Sequence, residues 1–550
     1  MELWNKSISQ KDRPCLIFID VEPTSSFVDK FLYNPIAANP SCMLIILSEE
    51  NDFKRLREQY KKKSYYKNHQ LIIWNKSESL YLLESELENL RTPIPFCKNI
   101  ISAEKDPHKD LVYELLKNHR KAQRIAAEEI KLSIRNYYRS NVFLSRLHSV
   151  FREHTPRVYV DRACSSAAVK RFSDAIASAL EELGCIVFIH PMCEGSLNDY
   201  TFATNIEIAH FKPDLIIRSP NSIDDTPAFS INPGPPTIYP LQDFFPHLHF
   251  LRHIKQHPLG IYDSCFCLLP GFAPQYMNAG LDEDQLMCDF IPCTPNKVEN
   301  ITPIYDIGFA KTMSHAHHFS ETVEIKTAEE SQQAEMLNRR MQEVIQRKLY
   351  RQLSFLDFAG FFPGKWMEQG QSYLHHLFCK HTIHQLADKE FSLSLVGSHW
   401  NNYPSLKQYS RGHIESREEY TRTFLECRIN ISIHPWATYH PRIFEGGILG
   451  AFFLVYRVPE DVMWHGLPDD FKPGVHYDEF STEEELVTKC RYYLENPEER
   501  RVIGKNLQEL LSKKYSYRHF GERILKKFER LIEKNRYRSS GETSGISQPK

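Results

Sequence analysis

The chain has 550 residues, 41% of them hydrophobic and 25% charged, the composition of a globular protein with room for roughly two to four domains. Its 68 Lys+Arg against 70 Asp+Glu leave a formal net charge of -2, which argues against a dedicated nucleic-acid coat or a polybasic membrane binder. No apolar run approaches the ~20 residues of a membrane-spanning helix, Cys15–Ile19 is too short for a secretory signal, and the thirteen scattered cysteines contain no CxxC pair. A cytoplasmic chain with reduced thiols is expected.

Residues 1–150 carry three short apolar runs, Cys15–Ile19, Met43–Leu47 and Leu71–Trp74, separated by charged stretches of helical composition. Strands alternating with helices predict βα units and a parallel sheet. A long helix is predicted over about Asp110–His148, with Ile125, Ile130, Ile134, Tyr138 and Phe143 near one face. It connects this N-terminal α/β extension to the next domain.

Residues 151–300 open with a βαβ unit: strand Arg157–Val160, a polar turn Asp161–Ser166, helix Ala167–Leu183 closed by Gly184, and strand Cys185–Ile189. Further strands are predicted at Asp214–Ile217, Thr237–Tyr239 and Ser264–Leu269, nearly all apolar, as when helices cover both faces of a sheet. Residues 301–535 repeat the pattern. Strands are predicted at Tyr305–Ala310, Phe355–Gly360, Leu393–Gly397, Ile429–Ile433, Ala451–Tyr456 and Val475–Tyr477. Helices are predicted at Ala328–Gln352, Gln369–Leu386, Glu418–Cys427, from Arg442, and over Glu483–Glu495, Glu498–Lys513 and Arg518–Lys534. Residues 536–550 read as a disordered polar tail.

The densest chemistry lies between Ile431 and Tyr456, ISIHPWATYHPRIFEGGILGAFFLVY. A strand runs through a His-Pro-Trp loop into Arg442, Glu445, Gly446 and Gly447. Glycines at a helix start let a ligand approach the main chain, the helix N-terminus favours a diphosphate, Arg442 adds a charge-assisted contact, and Glu445 suits a ribose diol. Tight helix–strand packing and an Arg442–Glu445 ion pair would explain the same spacing. Upstream, Phe391–Trp400 runs a strand into Gly397-Ser-His399-Trp400. There Gly397 would admit a base or ribose, His399 is either a ligand contact or a loop residue, and Trp400 reads as core.

The order of these motifs resembles the CgeB-like (spore maturation protein) branch of the GT-B glycosyltransferases. The matching residues are Gly397-Ser-His-Trp400, Gly412-His-Ile414, the acidic helix from Glu418, the strand to Ile433, then Arg442-Ile-Phe444-Glu445 with Gly450. Tyr305–Phe309 resembles the family's entry into its second domain, and Tyr515-Ser-Tyr517-Arg518 its ending. The resemblance covers 301–535 well and 156–300 in outline, and leaves 1–150 outside. It implies two Rossmann-like domains facing across a cleft, the first on the acceptor side (151–300) and the second holding a nucleotide-sugar donor (301–535).

Carried over, Glu445 would hold the ribose, Arg442 with the main chain at Gly446 and Gly447 the diphosphate, and Gly397 and His399 the nucleotide pocket. Lys365 would be a second cation on the leaving group. Asp243 would act as general base or orient the sugar, although it could equally cap the helix from Phe244. The reaction implied is glycosyl transfer to an unidentified glycan, protein or small molecule, with no cofactor and no obligatory metal. An acidic residue common in GT-B enzymes is missing at Ala437. That leaves a non-catalytic GT-B scaffold open, and a sugar-nucleotide epimerase would use the same two domains. His375, His376, Cys379, His381 and His384 crowd one predicted helix. His375 and Cys379 have zinc-pair spacing, but the segment reads as a partly exposed helix with no metal.

Overall fold

The computed structural model describes residues 16–19, 43–48, 70–75, 101–102 and 108–539, omitting 163–166, 190–200, 220–233, 242–243, 257, 268–272, 295–300, 350–361, 363, 415, 435–437 and 459–466. Three sheets emerge, all parallel. The first orders its strands β3-β2-β1-β4 from β1 (Leu16–Ile19), β2 (Met43–Ser48), β3 (Gln70–Asn75) and β4 (Ile101–Ser102). The helix predicted over Asp110–His148 is two helices, α1 (His108–Arg139) and α2 (Asn141–Ser149). The break has a local cause: Ser140 adopts extended backbone and its hydroxyl caps the Phe143 N–H at 3.2 Å. Arg146 of α2 then grips the fully buried Asp214 with two 2.8 Å bonds, and the Tyr138 hydroxyl donates to the Pro213 carbonyl, docking this pair onto the next sheet.

That second sheet has the order β10-β9-β8-β7-β5-β6. It is built from β5 (Arg157–Val160), β6 (Ile186–Ile189), β7 (Leu215–Ile217), β8 (Thr237–Leu241), β9 (Ser264–Cys267) and β10 (Leu286–Cys288). Between them come α3 (Ala167–Glu182), α4 (Thr201–Phe211), α5 (Phe244–Gln256) and α6 (Ala273–Asn278). The third sheet runs β13-β12-β11-β14-β15-β16. Its strands are β11 (Tyr305–Ala310), β12 (Leu393–Val396), β13 (Ser410–Gly412), β14 (Cys427–Ser432), β15 (Phe453–Tyr456) and β16 (Asp478–Phe480). Helices α7 (Ala328–Gln346), α8 (Met367–Ala387), α9 (Arg417–Leu425), α10 (Pro441–Gly447), α11 (Glu483–Glu495) and α12 (Pro497–Lys514) flank it. This is a two-domain, Rossmann-like α/β fold.

Two expectations change. Strands β4, β10 and β13 are additional to the predicted set, because two or three residues are too few to show a strand period. The last strand lies at Asp478–Phe480, not Val475–Tyr477: Gly474 turns with φ 74°, and its N–H bonds the Tyr477 carbonyl at 2.7 Å, so Val475–Tyr477 belong to the turn. The strand expected at Phe355–Gly360 and the tail at 540–550 lie outside the described residues. The last helix, α13 (Tyr517–Ser539), leaves the third sheet and packs on the second. Its Phe520, Ile524, Phe528 and Ile532 share a core with Val158, Phe172 and Ile216. Arg523 of α13 clamps Asp289 just after β10 at 2.6 and 3.1 Å.

Candidate donor-binding site

Relabelled in chain order, the third sheet reads 3-2-1-4-5-6, with β11 as strand 1 and β14 as strand 4. The direction of strand order reverses between those two strands. Ligands of open α/β sheets sit outside the carboxyl ends at such a reversal. The first residue past β11 is Lys311, and two residues past the end of β14 comes His434. The topology alone therefore brings a lysine and an imidazole to this point, and the next helix, α10, adds Arg442.

Lys311 is fixed through its main chain. Its N–H bonds the Val396 carbonyl at 2.8 Å, and its carbonyl accepts the Trp400 indole N–H at 2.8 Å. Trp400 is fully buried against Phe309, the core role its sequence predicted. Gly397 lets the two segments meet. It holds φ 125°, and a Cβ there would stand 2.3 Å from the Lys311 carbonyl oxygen. Gly397 thus sets how closely its own segment approaches Lys311. His399 follows in left-handed backbone, φ 71°, with its ring 5.9 Å from that of His315.

Arg442 is 6% exposed, and its guanidinium lies over the Phe309 ring at 5.5 Å. His440 offers one nitrogen to the Arg442 main-chain N–H and the other to Nη2, each at 3.2 Å. Burial, then the Arg442 charge, hold His440 well below the usual histidine range, so the ring is neutral and has one acceptor nitrogen to share between these two donors. Nε and Nη1 of Arg442 have no hydrogen-bond partner among the described residues. Buried charge-bearing donors without acceptors are costly. Lys311, His375, His434 and Cys379 complete the wall. The rings of His375 and His434 are 4.5 Å apart, and those of His434 and His440 6.1 Å.

Burial is the main influence on the titration of this wall. It lowers Lys311 to about 8, aided by Arg442 and opposed by Cys379. Burial, then Lys311, lowers His376 and His434 to about 3. The imidazoles are therefore neutral across the physiological range, and the site's positive charge resides on Lys311 and Arg442. A diphosphate diester, whose charge is constant over this range, would meet this wall with an affinity that is flat from about pH 5 to 7 and falls as pH rises through about 8, where Lys311 loses its proton. A calorimetric pH series measures this. A step near 6.5 would mean that a histidine, not Lys311, carries the charge.

Glu445 lies one helical turn beyond Arg442. The Tyr420 hydroxyl of α9 is hydrogen-bonded to its carboxylate, and burial, then Glu445, raise that phenol's pKa. The same phenol lies within reach of the Arg171 charge, from α3 of the preceding domain.

Several sequence expectations are corrected. Gly446 and Gly447 are not at the start of α10 but in its last turn. The helix begins at Pro441, and His440 caps it with its side chain on the Arg442 N–H and its carbonyl on the Ile443 N–H. A Cβ on Gly446 would meet Phe453 at 2.6 Å, and one on Gly447 would meet Leu507 at 2.5 Å. At both positions helix packing leaves no room for a side chain. Lys365 is exposed, paired with Glu330 of α7 and lying 4.7 Å over the Trp366 ring. The lysine that shares the surroundings of Arg442 is Lys311. Helix α8 is not merely a half-exposed surface helix: Cys379 is fully buried, and His375 reaches Lys311. Among the described residues no group of three or more His, Cys, Asp or Glu is placed to hold a metal ion. Asp243 and Ala437 lie outside the described residues. Among the described helices none is long and apolar enough to cross a membrane.

No curated protein matches the sequence. Solved structures with a similar course of chain include HepE of Anabaena in complex with UDP and glucose, at 12% identity and TM-score 0.39, covering 68% of this chain and 99% of that one. A glycosyltransferase of Rickettsia africae aligns at 11% and 0.43 over 69% and 99%. The sucrose-phosphate synthase of Thermosynechococcus elongatus aligns at 11% and 0.43 over 69% and 100%. Residues 376–526, which contain Gly397, Arg442 and Glu445, match the family profile described as glycosyl transferase-like.

Proposed function

We propose that the protein is a GT-B glycosyltransferase of CgeB-like type, moving a sugar from a nucleotide-sugar donor to an acceptor that approaches from the second sheet's side. The observation that carries this reading is the buried Arg442 guanidinium with two unmatched donors beside Lys311, within a segment of glycosyl transferase-like sequence. Two cations at the switch point of a Rossmann-ordered sheet suit a diphosphate. In transfer, an acceptor hydroxyl attacks the anomeric carbon, its proton passes to a base, the bond from that carbon to the diphosphate oxygen breaks, and the nucleoside diphosphate leaves. Lys311 and Arg442 stabilise the charge that grows on that leaving group, which supports catalysis without a metal. Asp243, two residues after β8 in the sequence, is the proposed base. Eight described cysteines are free thiols, which supports a cytoplasmic setting.

Glu445 is assigned to the ribose. Its test is Glu445→Ala, titrated with a nucleoside diphosphate and its 2′-deoxy analogue. The variant should lose about tenfold in affinity for the ribonucleotide, roughly one charge-assisted hydrogen bond, and should no longer prefer it to the deoxy form. Unchanged preference would remove Glu445 from the ribose site.

A further inference from the structure

Helix α8 carries four histidines, more than any other described helix, and neither the fold nor the donor contacts account for them. His375 lies at its middle. The ring spans two elements: Nδ1 is 3.2 Å from the Lys311 ammonium beyond β11, and Nε2 is 3.3 Å from the Ile433 carbonyl beyond β14. A carbonyl can only accept, so Nε2 carries the proton. Nδ1 of the neutral ring is then an acceptor, and the ammonium donates to it. Both contacts are satisfied by one tautomer, and burial together with Lys311 keeps the ring in its neutral form.

We propose that His375 is a positioning residue for the diphosphate site, a neutral strut that orients the Lys311 ammonium without neutralising it. This rests on the donor reading under Proposed function. The chemistry explains why an imidazole stands here. A carboxylate at the same place would hold Lys311 as well, but would cancel the charge that the diphosphate needs. An aliphatic side chain would leave a four-carbon stem free to rotate. Tied at its far end to the Ile433 carbonyl, the ring also fixes the spacing between the carboxyl ends of β11 and β14, the gap in which the diphosphate is placed.

The test compares three variants with the wild type. His375→Asn keeps an acceptor near the Nδ1 position. His375→Gln keeps a donor near Nε2 but withdraws the acceptor from Lys311, and His375→Leu removes both. UDP, GDP, CDP, dTDP and ADP are titrated by calorimetry, and the nucleoside of the tightest binder is titrated by NMR. The strut predicts diphosphate affinity about tenfold lower in the Gln and Leu variants, within about threefold of wild type in the Asn variant, and nucleoside affinity the same in all four. Equal losses for nucleoside and diphosphate would mean that His375 only supports the fold, and would overturn the assignment. So would diphosphate affinity within twofold of wild type in both the Gln and Leu variants. If folded wild-type protein binds none of the five diphosphates, the donor reading itself fails and takes this assignment with it.

Discussion

Replacing Arg442 by methionine is expected to lower affinity for a nucleoside diphosphate by at least about thirtyfold while raising the stability of the ligand-free protein. The two effects share one cause. The guanidinium is buried with Nε and Nη1 unpartnered among the described residues, and His440 can satisfy only one of two Arg442 donors. In the free protein that arrangement is a cost, because a buried charge without acceptors forfeits its hydration. Methionine keeps an apolar side chain of similar length and removes the charge, a change that in buried ionic sites is often stabilising by about 1–4 kcal/mol. In the complex the same donors meet phosphate oxygens, and losing a buried, charge-assisted contact costs about 2–5 kcal/mol. Calorimetry and thermal melting measured on one sample read both numbers. A variant with unchanged diphosphate affinity, or one that merely unfolds, would show that Arg442 is a structural cation.

Gly397→Ala should be the most damaging single methyl group in the second Rossmann domain. Two penalties add. The residue holds φ 125°, which side-chain-bearing residues rarely adopt, at about 1–3 kcal/mol. The added Cβ would also stand 2.3 Å from the Lys311 carbonyl oxygen and 2.7 Å from the Thr312 nitrogen, main-chain atoms that cannot rotate away. Overpacking of this kind costs about 1–3 kcal/mol more. At about 2–4 °C per kcal/mol for a domain of this size, melting should fall by roughly 10 °C. Because the obstructing atoms form the peptide that joins Lys311 to Thr312, diphosphate binding should weaken beyond what the lost stability explains. Gly474→Ala is the control: its φ is 74° but nothing lies within 4 Å of the new methyl, so it should cost only about 1 kcal/mol and leave binding intact. Equal melting temperatures for the two variants would contradict the close approach at Lys311.

The sheets are legible in the sequence because their strands are short, fully apolar and separated by helix-length polar segments. β5, β11 and β12 fall within a residue of their predicted limits for that reason. The glycine and arginine of the site are legible for a similar reason, lying in local patterns a reader can inspect. Lys311 is not. It is one lysine after one strand, and only the order of strands, with β12 on one side of β11 and β14 on the other, reveals that it borders the ligand gap. His375 is conspicuous in the sequence but reads as part of a surface helix, because the dense polar content of α8 hides which side faces β11. Gly446 and Gly447 mislead in the opposite direction: the residue pattern puts the helix start too late, since His440 and Pro441 rather than a serine or aspartate open it. The residues are visible, but their neighbours across the sheet are not.

Whether the cationic wall at the β11–β14 gap is a nucleoside diphosphate site is decided most directly by isothermal titration of the wild-type protein with UDP, GDP, CDP, dTDP and ADP, with Lys311→Met titrated alongside. A diphosphate held between Lys311 and Arg442 predicts micromolar binding of at least one of these ligands, weakened at least tenfold in Lys311→Met. Folded wild-type protein that takes up none of the five at millimolar concentration, or binding that Lys311→Met leaves unchanged, would contradict it.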